Sequence, residues 1–349
     1  MPQDVKIKVD LVETPDVLFN LNSAVPCLDT EGVLIGALLT TLKYASENPS
    51  KEVVIFGHTD TSGEHSLNYD VSELRAKAVK SLLDGKADVY ASVAKEKSQV
   101  IDYQTILKTL STHYGWSCDP GTPDNSNGPK TQTGLKNFQS EYNQKFSGSL
   151  KVDGVIGPKT WGAIGQVIIS LVTDVYGNTL PKINYGYSGK GIYPCGESFP
   201  IADQEKADYV SKTNRRVEAV FWEKTNAPEL KVHGDKNTSV TVEECPVYDD
   251  VHCERDVIEQ STGNINDAEF LEITLKPPTE WKKGVIQDWD VDTNVLLNEY
   301  SILPENKLVK IPIKTPENCN RELWLVMDGV KLSRFGKRLK GAKWNFEWD

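Results

Sequence analysis

No apolar run in the 349 residues approaches the roughly 18 that a membrane-spanning helix requires, so no helical span is expected. No Cys-x-x-Cys pair occurs either. The six cysteines, Cys27, Cys118, Cys195, Cys245, Cys253 and Cys319, are scattered, which argues against a zinc site and for buried free thiols. Only Cys245 and Cys253 stand close enough in sequence to close a small loop in an oxidising compartment. There is no basic excess. With a formal net charge of −11, the chain offers no broad phosphate-binding face, and nucleic acid is not an expected partner. The opening residues, Met1-Pro-Gln-Asp-Val-Lys6, lack the basic start, apolar centre and small-residue cleavage site of a secretory signal. The expectation is a mature fragment, or a protein exported without a leader. What is present, 38% hydrophobic and 26% charged residues, is a globular composition with length for two or three domains.

The most informative stretch is Gly57-His-Thr-Asp-Thr-Ser-Gly63, followed by Asn68 and by Ser72-Glu-Leu-Arg75-Ala76. Glu52-Val-Val-Ile-Phe56 before it is apolar, β-branched and bounded by Gly57, so it reads as a buried strand. Ser72 is placed to N-cap a helix reaching Asp84, with Leu74, Ala78, Val79, Leu82 and Leu83 as its apolar stripe. Asp60 then lies on a loop at a strand end, and Arg75 beside a helix N-terminus that favours anionic groups. A carboxylate that holds an ammonium and a guanidinium that grips a carboxylate suit a zwitterion. The plain alternative is an ion pair on the surface. His58, Asp60 and His65 are residue types that ligate metals, but no third strong ligand lies near in sequence, and no cofactor is expected.

These residues resemble the signature of the OmpA C-terminal-like domain, by which outer-membrane protein A and peptidoglycan-associated lipoprotein hold the cell wall. The resemblance implies that Asp60 and Arg75 grip the zwitterionic end of diaminopimelate in the peptidoglycan stem peptide, that Asn68 shapes the loop, and that Thr59, Phe19 and Asn20 belong to the same site. Other parts of the pattern recur: Val17-Leu-Phe-Asn20 as a first strand, Gly196-Glu-Ser-Phe-Pro200 after a third, and Asn214-Arg-Arg-Val-Glu218 opening the last. The sequence departs from it in having Asn20 where the family more often has Asp, and Val71 where it usually has Leu.

In chain order, Val5 to Val12 alternates as a half-exposed strand does, and Thr30 to Asn48 has helical spacing. Strand, helix, strand, helix is complete by Asp84, yet the expected third strand, Gly191 to Pro200, comes about a hundred residues later. Residues 86–181 are therefore read as an insertion between host segments 1–85 and 182–226. Within it, Leu150 to Ile164, with Asp153-Gly154 and Gly157-Pro-Lys-Thr160, resembles a small three-helix peptidoglycan-binding domain. Gly128-Pro-Lys-Thr131 is a weaker copy 29 positions earlier, and Asp102 to Tyr114 is the expected first helix. Asp153, Thr160 and Trp161 are either a second wall-binding site or simply turn, cap and core residues. The host resumes with a helical stretch at 203–212 and a closing strand, Arg215 to Trp222, whose two arginines either cover the sheet end or make the rim attractive to carboxylates.

Residues 227–349 carry short alternating runs between Pro, Gly, Asn and Asp clusters, which argues for an all-β domain. Its last twenty residues hold six Lys or Arg against two acids, with Phe335, Trp344, Phe346 and Trp348 interleaved; a terminal hairpin with one buried aromatic face accounts for this, and a glycan or single-stranded nucleic-acid surface is the alternative. No nucleophile with a base stands out in this domain. The fold expected is α+β: an OmpA-like βαβαββ-type domain interrupted by a three-helix all-α domain and followed by an all-β domain that docks a protein partner. The function expected is non-catalytic binding of peptidoglycan. The nested arrangement resembles proteins found near type VI and related contractile injection systems, which implies action at the wall or periplasm. A wall hydrolase or toxin with a C-terminal effector is the alternative.

Overall fold

A computed structural model describes residues 7–13, 19–29, 32–173, 176, 179–258, 270–274, 284–290, 295–302, 308–312, 321–327 and 330–338. Their contacts divide the chain into two units, Met1–Asn264 and Ile265–Asp349.

The first unit is mixed α+β. Its elements run β1 (Ile7–Glu13), α1 (Val33–Glu47), β2 (Lys51–Gly57), α2 (His65–Leu83), α3 (Ala87–Glu96), α4 (Val100–His113), α5 (Pro129–Lys145), α6 (Pro158–Thr173), β3 (Ile192–Pro194), β4 (Val217–Glu223) and β5 (Cys253–Val257). The five strands form one sheet in the order β3-β2-β4-β1-β5. β4 is antiparallel to both β2 and β1, whereas β3 runs parallel to β2 and β5 parallel to β1. The unbroken apolar run in β2 follows from burial on both faces. Val53 and Ile55 face the helices with Ala219 and Phe221. Val54 and Phe56 face the other way with Val220 and Trp222, against Val240, Cys245, Val247 and Tyr248.

That second layer moves a boundary. Residues 227–257, grouped with the following domain by sequence, close the outer face of this sheet, and β5 adds its edge strand. The stretch has no long period because it buries single residues from turns, as at Cys245 and Val247.

Three further expectations differ. Helix α2 begins at His65, so Ser72 is interior, its hydroxyl bonded to the Tyr69 carbonyl at 2.7 Å. Arg75 thus lies in the third turn rather than beside the N-terminus. Gly63, at φ 95°, makes the preceding turn, and no helix breaker stands between it and Ser72. The expected strand Val17 to Asn20 falls partly outside the described residues; Phe19 makes one isolated bridge to Pro26, and the strand beside β4 is β1. The expected helix at 203–212 is a series of turns, with Asp203 and Asp208 at φ 51° and 50°, a conformation that ends a right-handed helix.

Between α2 and β3 the described residues form four α-helices, one more than the three expected of the insert, the addition being α3. α3 packs along α6 with Tyr90 edge-on to Trp161. In the second unit every described element is a strand: β6 (Phe270–Thr274), β7 (Gly284–Asp290), β8 (Val295–Ile302), β9 (Leu308–Pro312), β10 (Arg321–Met327) and β11 (Val330–Arg338). They form a four-stranded antiparallel sheet, β11-β10-β7-β8, and a two-stranded one, β6-β9. Trp344, Phe346 and Trp348 lie outside the described residues. No described helix is long and apolar enough to cross a membrane.

Candidate functional site

Strand β2 stops where α2 crosses it. A Cβ on Gly57 would fall 1.9 Å from the Ser72 carbonyl oxygen, so only glycine lets the strand run against the helix. The chain then turns through residues 58–64, opposite the 19–26 loop and the 211–216 segment. Between them is a cleft of about 200 Å³ whose lining includes Thr59, Asp60, Asn68, Arg75, Arg215 and Asn22. Clefts that enclose whole drug-sized ligands run to roughly 300–1,000 Å³. This one has room for the end of a longer molecule.

Asp60 and Arg75 share the cleft without pairing. One Asp60 oxygen accepts from Arg215 Nη1 at 2.6 Å and from the Ser211 amide at 3.1 Å, and the other from the Ser62 hydroxyl at 2.6 Å. Arg75 donates from Nε to the Ser23 carbonyl at 2.9 Å and from Nη1 to the His58 carbonyl at 2.8 Å, with Nη2 3.5 Å from the Asn20 carbonyl. Both side chains form the floor, at 3% and 1% exposure. Burial, then the Arg215 charge, lowers the Arg75 guanidinium to about 9, which leaves it charged at neutral pH. Among the described residues no carboxylate forms an ion pair with it. Thr59 donates its amide to the Gly196 carbonyl at 2.8 Å, but its buried hydroxyl has no partner among the described residues. Asn68 donates to the Ser62 carbonyl at 3.1 Å and to the Glu197 carboxylate, tying α2 to the loop.

Phe19 and Asn20 stand behind the cleft. The Phe19 ring lies under the Arg75 guanidinium, 5.0 Å from it, and its carbonyl accepts from Arg215 Nε at 3.1 Å. The Asn20 amide turns away to Asp102 at 2.8 Å. Sequence reasoning flagged Arg215 without seeing that it takes the Asp60 carboxylate. His58 is bonded through Nε2 to the Tyr248 hydroxyl at 2.8 Å, and burial, followed by the Arg216 charge, lowers its pKa to about 4. Among the described residues no group of three or more His, Cys, Asp or Glu could hold a metal ion. The five described cysteines are buried free thiols.

The inserted helices hold two copies of one turn. The Gln139 amide donates to Asp153 Oδ1, the Val155 carbonyl and the Thr160 hydroxyl, and its oxygen accepts from the amides of Asp153 and Gly154. Gln104 does the same with Asp124, Ser126, Thr131 and the amides of Asp124 and Asn125. Gly154 in one copy and Asn125 in the other take the left-handed conformation, at φ 74° and 62°. Asp153 and Thr160 are thus engaged within the turn, and Trp161, 2% exposed, packs between Tyr90 and Tyr103. The open groove on these helices, about 790 Å³, is lined by other residues, among them Tyr142, Phe146, Lys159 and Gln166.

A family model described as a peptidoglycan binding domain matches residues 96–164, from the end of α3 through both glutamine-centred turns into α6. Over that stretch the chain is similar to wall-binding modules, which supports binding to peptidoglycan and association with the cell wall. Comparison with curated proteins and with solved structures returns no match.

Proposed function

We propose that this is a non-catalytic anchor to the bacterial cell wall, in which an OmpA-like domain of residues 1–85 and 182–226, its sheet closed by residues 227–257, surrounds the inserted residues 86–181. Its cleft takes the free end of a diaminopimelate-containing stem peptide: the ligand carboxylate meets Arg75 and the Thr59 hydroxyl, and its ammonium meets Asp60. The observation that carries this reading is the buried Arg75 charge, hydrogen-bonded among the described residues to backbone carbonyls and to no carboxylate, at the floor of a small cleft. Asp60 is committed to Arg215 yet retains oxygen lone pairs for an incoming ammonium. Asp153, Thr160 and Trp161 shape the insert, whose groove beside α3 and α6 lies against the glycan. The Ile265–Asp349 unit docks a protein partner in a contractile injection system.

The test is calorimetric titration with a soluble stem peptide ending in diaminopimelate, beside the same peptide ending in lysine, which lacks the second carboxylate. The lysine peptide is expected to bind ten- to a hundredfold more weakly, since one charge-assisted hydrogen bond contributes about 1.5–3 kcal/mol. Asp60→Asn, which keeps an acceptor for Arg215, should weaken binding of the diaminopimelate peptide by a similar factor. No heat with either peptide overturns the reading, and clearing of purified wall in a zymogram would replace it with a hydrolase.

A further inference from the structure

The wall of the cleft is held from outside the host domain. Asp102, in the first turn of α4, is wholly buried. Its Oδ1 accepts from Asn20 Nδ2 at 2.8 Å, and its Oδ2 accepts from the Ser23 hydroxyl at 2.8 Å and from the Gln99 amide. Asn20 and Ser23 flank the tight turn whose tip residues, Leu21 and Asn22, line the cleft. The same two residues present their carbonyls to Arg75. Residue 97 adds a second tether, its carbonyl accepting the Ala24 amide at 2.9 Å. Side chains at 20 and 23 therefore reach into the insert while their backbones hold the cation of the host.

We infer that Asp102 is a positioning residue of the cleft: the inserted helices, chiefly through this carboxylate, set the 20–23 turn and so the place of the Arg75 guanidinium. The insert then does more than space two halves of a domain. With the Cys27 thiol 3.8 Å from Oδ1, four donors converge on Asp102, so an ionised carboxylate, which only accepts, fits the site. The polarity also accounts for asparagine at 20. An aspartate there would set two carboxylates against each other with no donor between them.

The inference rests on the ligand reading above, and its test separates the two by using a second readout that needs no ligand. In the full chain, Asn20→Asp places like charges across the contact, and the exchanged pair N20D/D102N restores one donor facing one acceptor. Titration with the diaminopimelate stem peptide gives affinity, and solvent exchange of the Arg75 Nε–H by NMR reports whether its bond to Ser23 persists. Asn20→Asp is expected to weaken binding about tenfold or more and to speed the exchange; the exchanged pair is expected to recover both to within about threefold. Equal behaviour of Asn20→Asp and wild type in the exchange measurement, or an exchanged pair no better than Asn20→Asp, overturns the inference. If Asn20→Asp does not fold, recovery of the melting transition in the exchanged pair takes the place of the affinity ratio. A wild type that gives no heat with the peptide, while Arg75 exchange follows the predicted pattern, sinks the ligand reading and leaves the positioning role standing.

Discussion

The 58–64 loop of the cleft and the 150–160 turn of the insert are made of the same kinds of residue, glycine, aspartate and threonine, and they come out differently. Around Gln139 the donors and acceptors meet one another: Asp153, Thr160 and the turn amides are all satisfied internally. Around Arg75 they do not. Among the described residues a cation lacks a carboxylate and a buried threonine hydroxyl lacks a partner. Unmet hydrogen-bonding capacity in a buried place costs free energy, and the proposed ligand would relieve it at the first loop, whereas the second meets its own needs.

The largest expected effect falls on the architectural side. Gln139→Leu removes the side-chain amide that ties the turn together and buries the amides of Asp153 and Gly154 unpaired, at about 1–3 kcal/mol each. Loss of roughly 3 kcal/mol or more in thermal or urea unfolding is expected, and Gln104→Leu should follow it. A near-neutral result in both would mean that the turns do not hold the insert.

Acid should weaken the cleft side next. The unfolded His58 takes up a proton as pH falls below about 6.5, whereas the buried ring, neutral beside Tyr248, resists until about 4. Stability is lost across that window as pH falls, by up to ~3 kcal/mol at ~1.4 kcal/mol per pKa unit. Burial alone would raise the Glu218 carboxyl; Arg216 and His58 outweigh it and hold it low, so its contribution persists until still lower pH. Urea midpoints at pH 7 and 4.5 measure the drop, and His58→Gln should flatten it. An unchanged slope in that variant would assign the acid sensitivity elsewhere.

The smallest effect separates the two regions most cleanly. Thr59→Val removes an unpartnered hydroxyl, so folding stability should shift by less than ~1 kcal/mol, while affinity for the stem peptide falls several-fold. Thr160→Val, in the satisfied turn, should do the reverse: lower stability, unchanged affinity at the cleft. Identical outcomes at the two threonines would erase the distinction.

Much of this was readable beforehand wherever local chemistry decided it. The Gly-Pro-Lys-Thr starts of α5 and α6, the apolar spacing of α1 and the both-sides-buried β2 are properties of neighbouring residues. So are Asp60, Asn68 and Arg75 as members of one cleft, since a strand end and the helix after it must be close. What was missed depends on distant partners. α3 carries Tyr90, Ala91, Val93 and Ala94 on its buried face, a short stripe of mostly small residues that α6 and α2 turn into a helix interface. Ser72 looks like a cap until Gly63 is seen to start the helix sooner. That Asp60 pairs with a residue 155 positions away and Asn20 with one 82 away leaves no trace in local pattern.

The sheet order has a consequence for biogenesis. β2 lies between β3 and β4, and β1 between β4 and β5, so both early strands take only late ones as neighbours. Val217 leaves the ribosome 160 residues (217 − 57) after Gly57, a wait on the order of ten seconds at ~5–20 residues per second. Through that interval two apolar strands stand with open edges while the helices between them can already assemble, and a nascent chain so exposed is where a chaperone would be needed most.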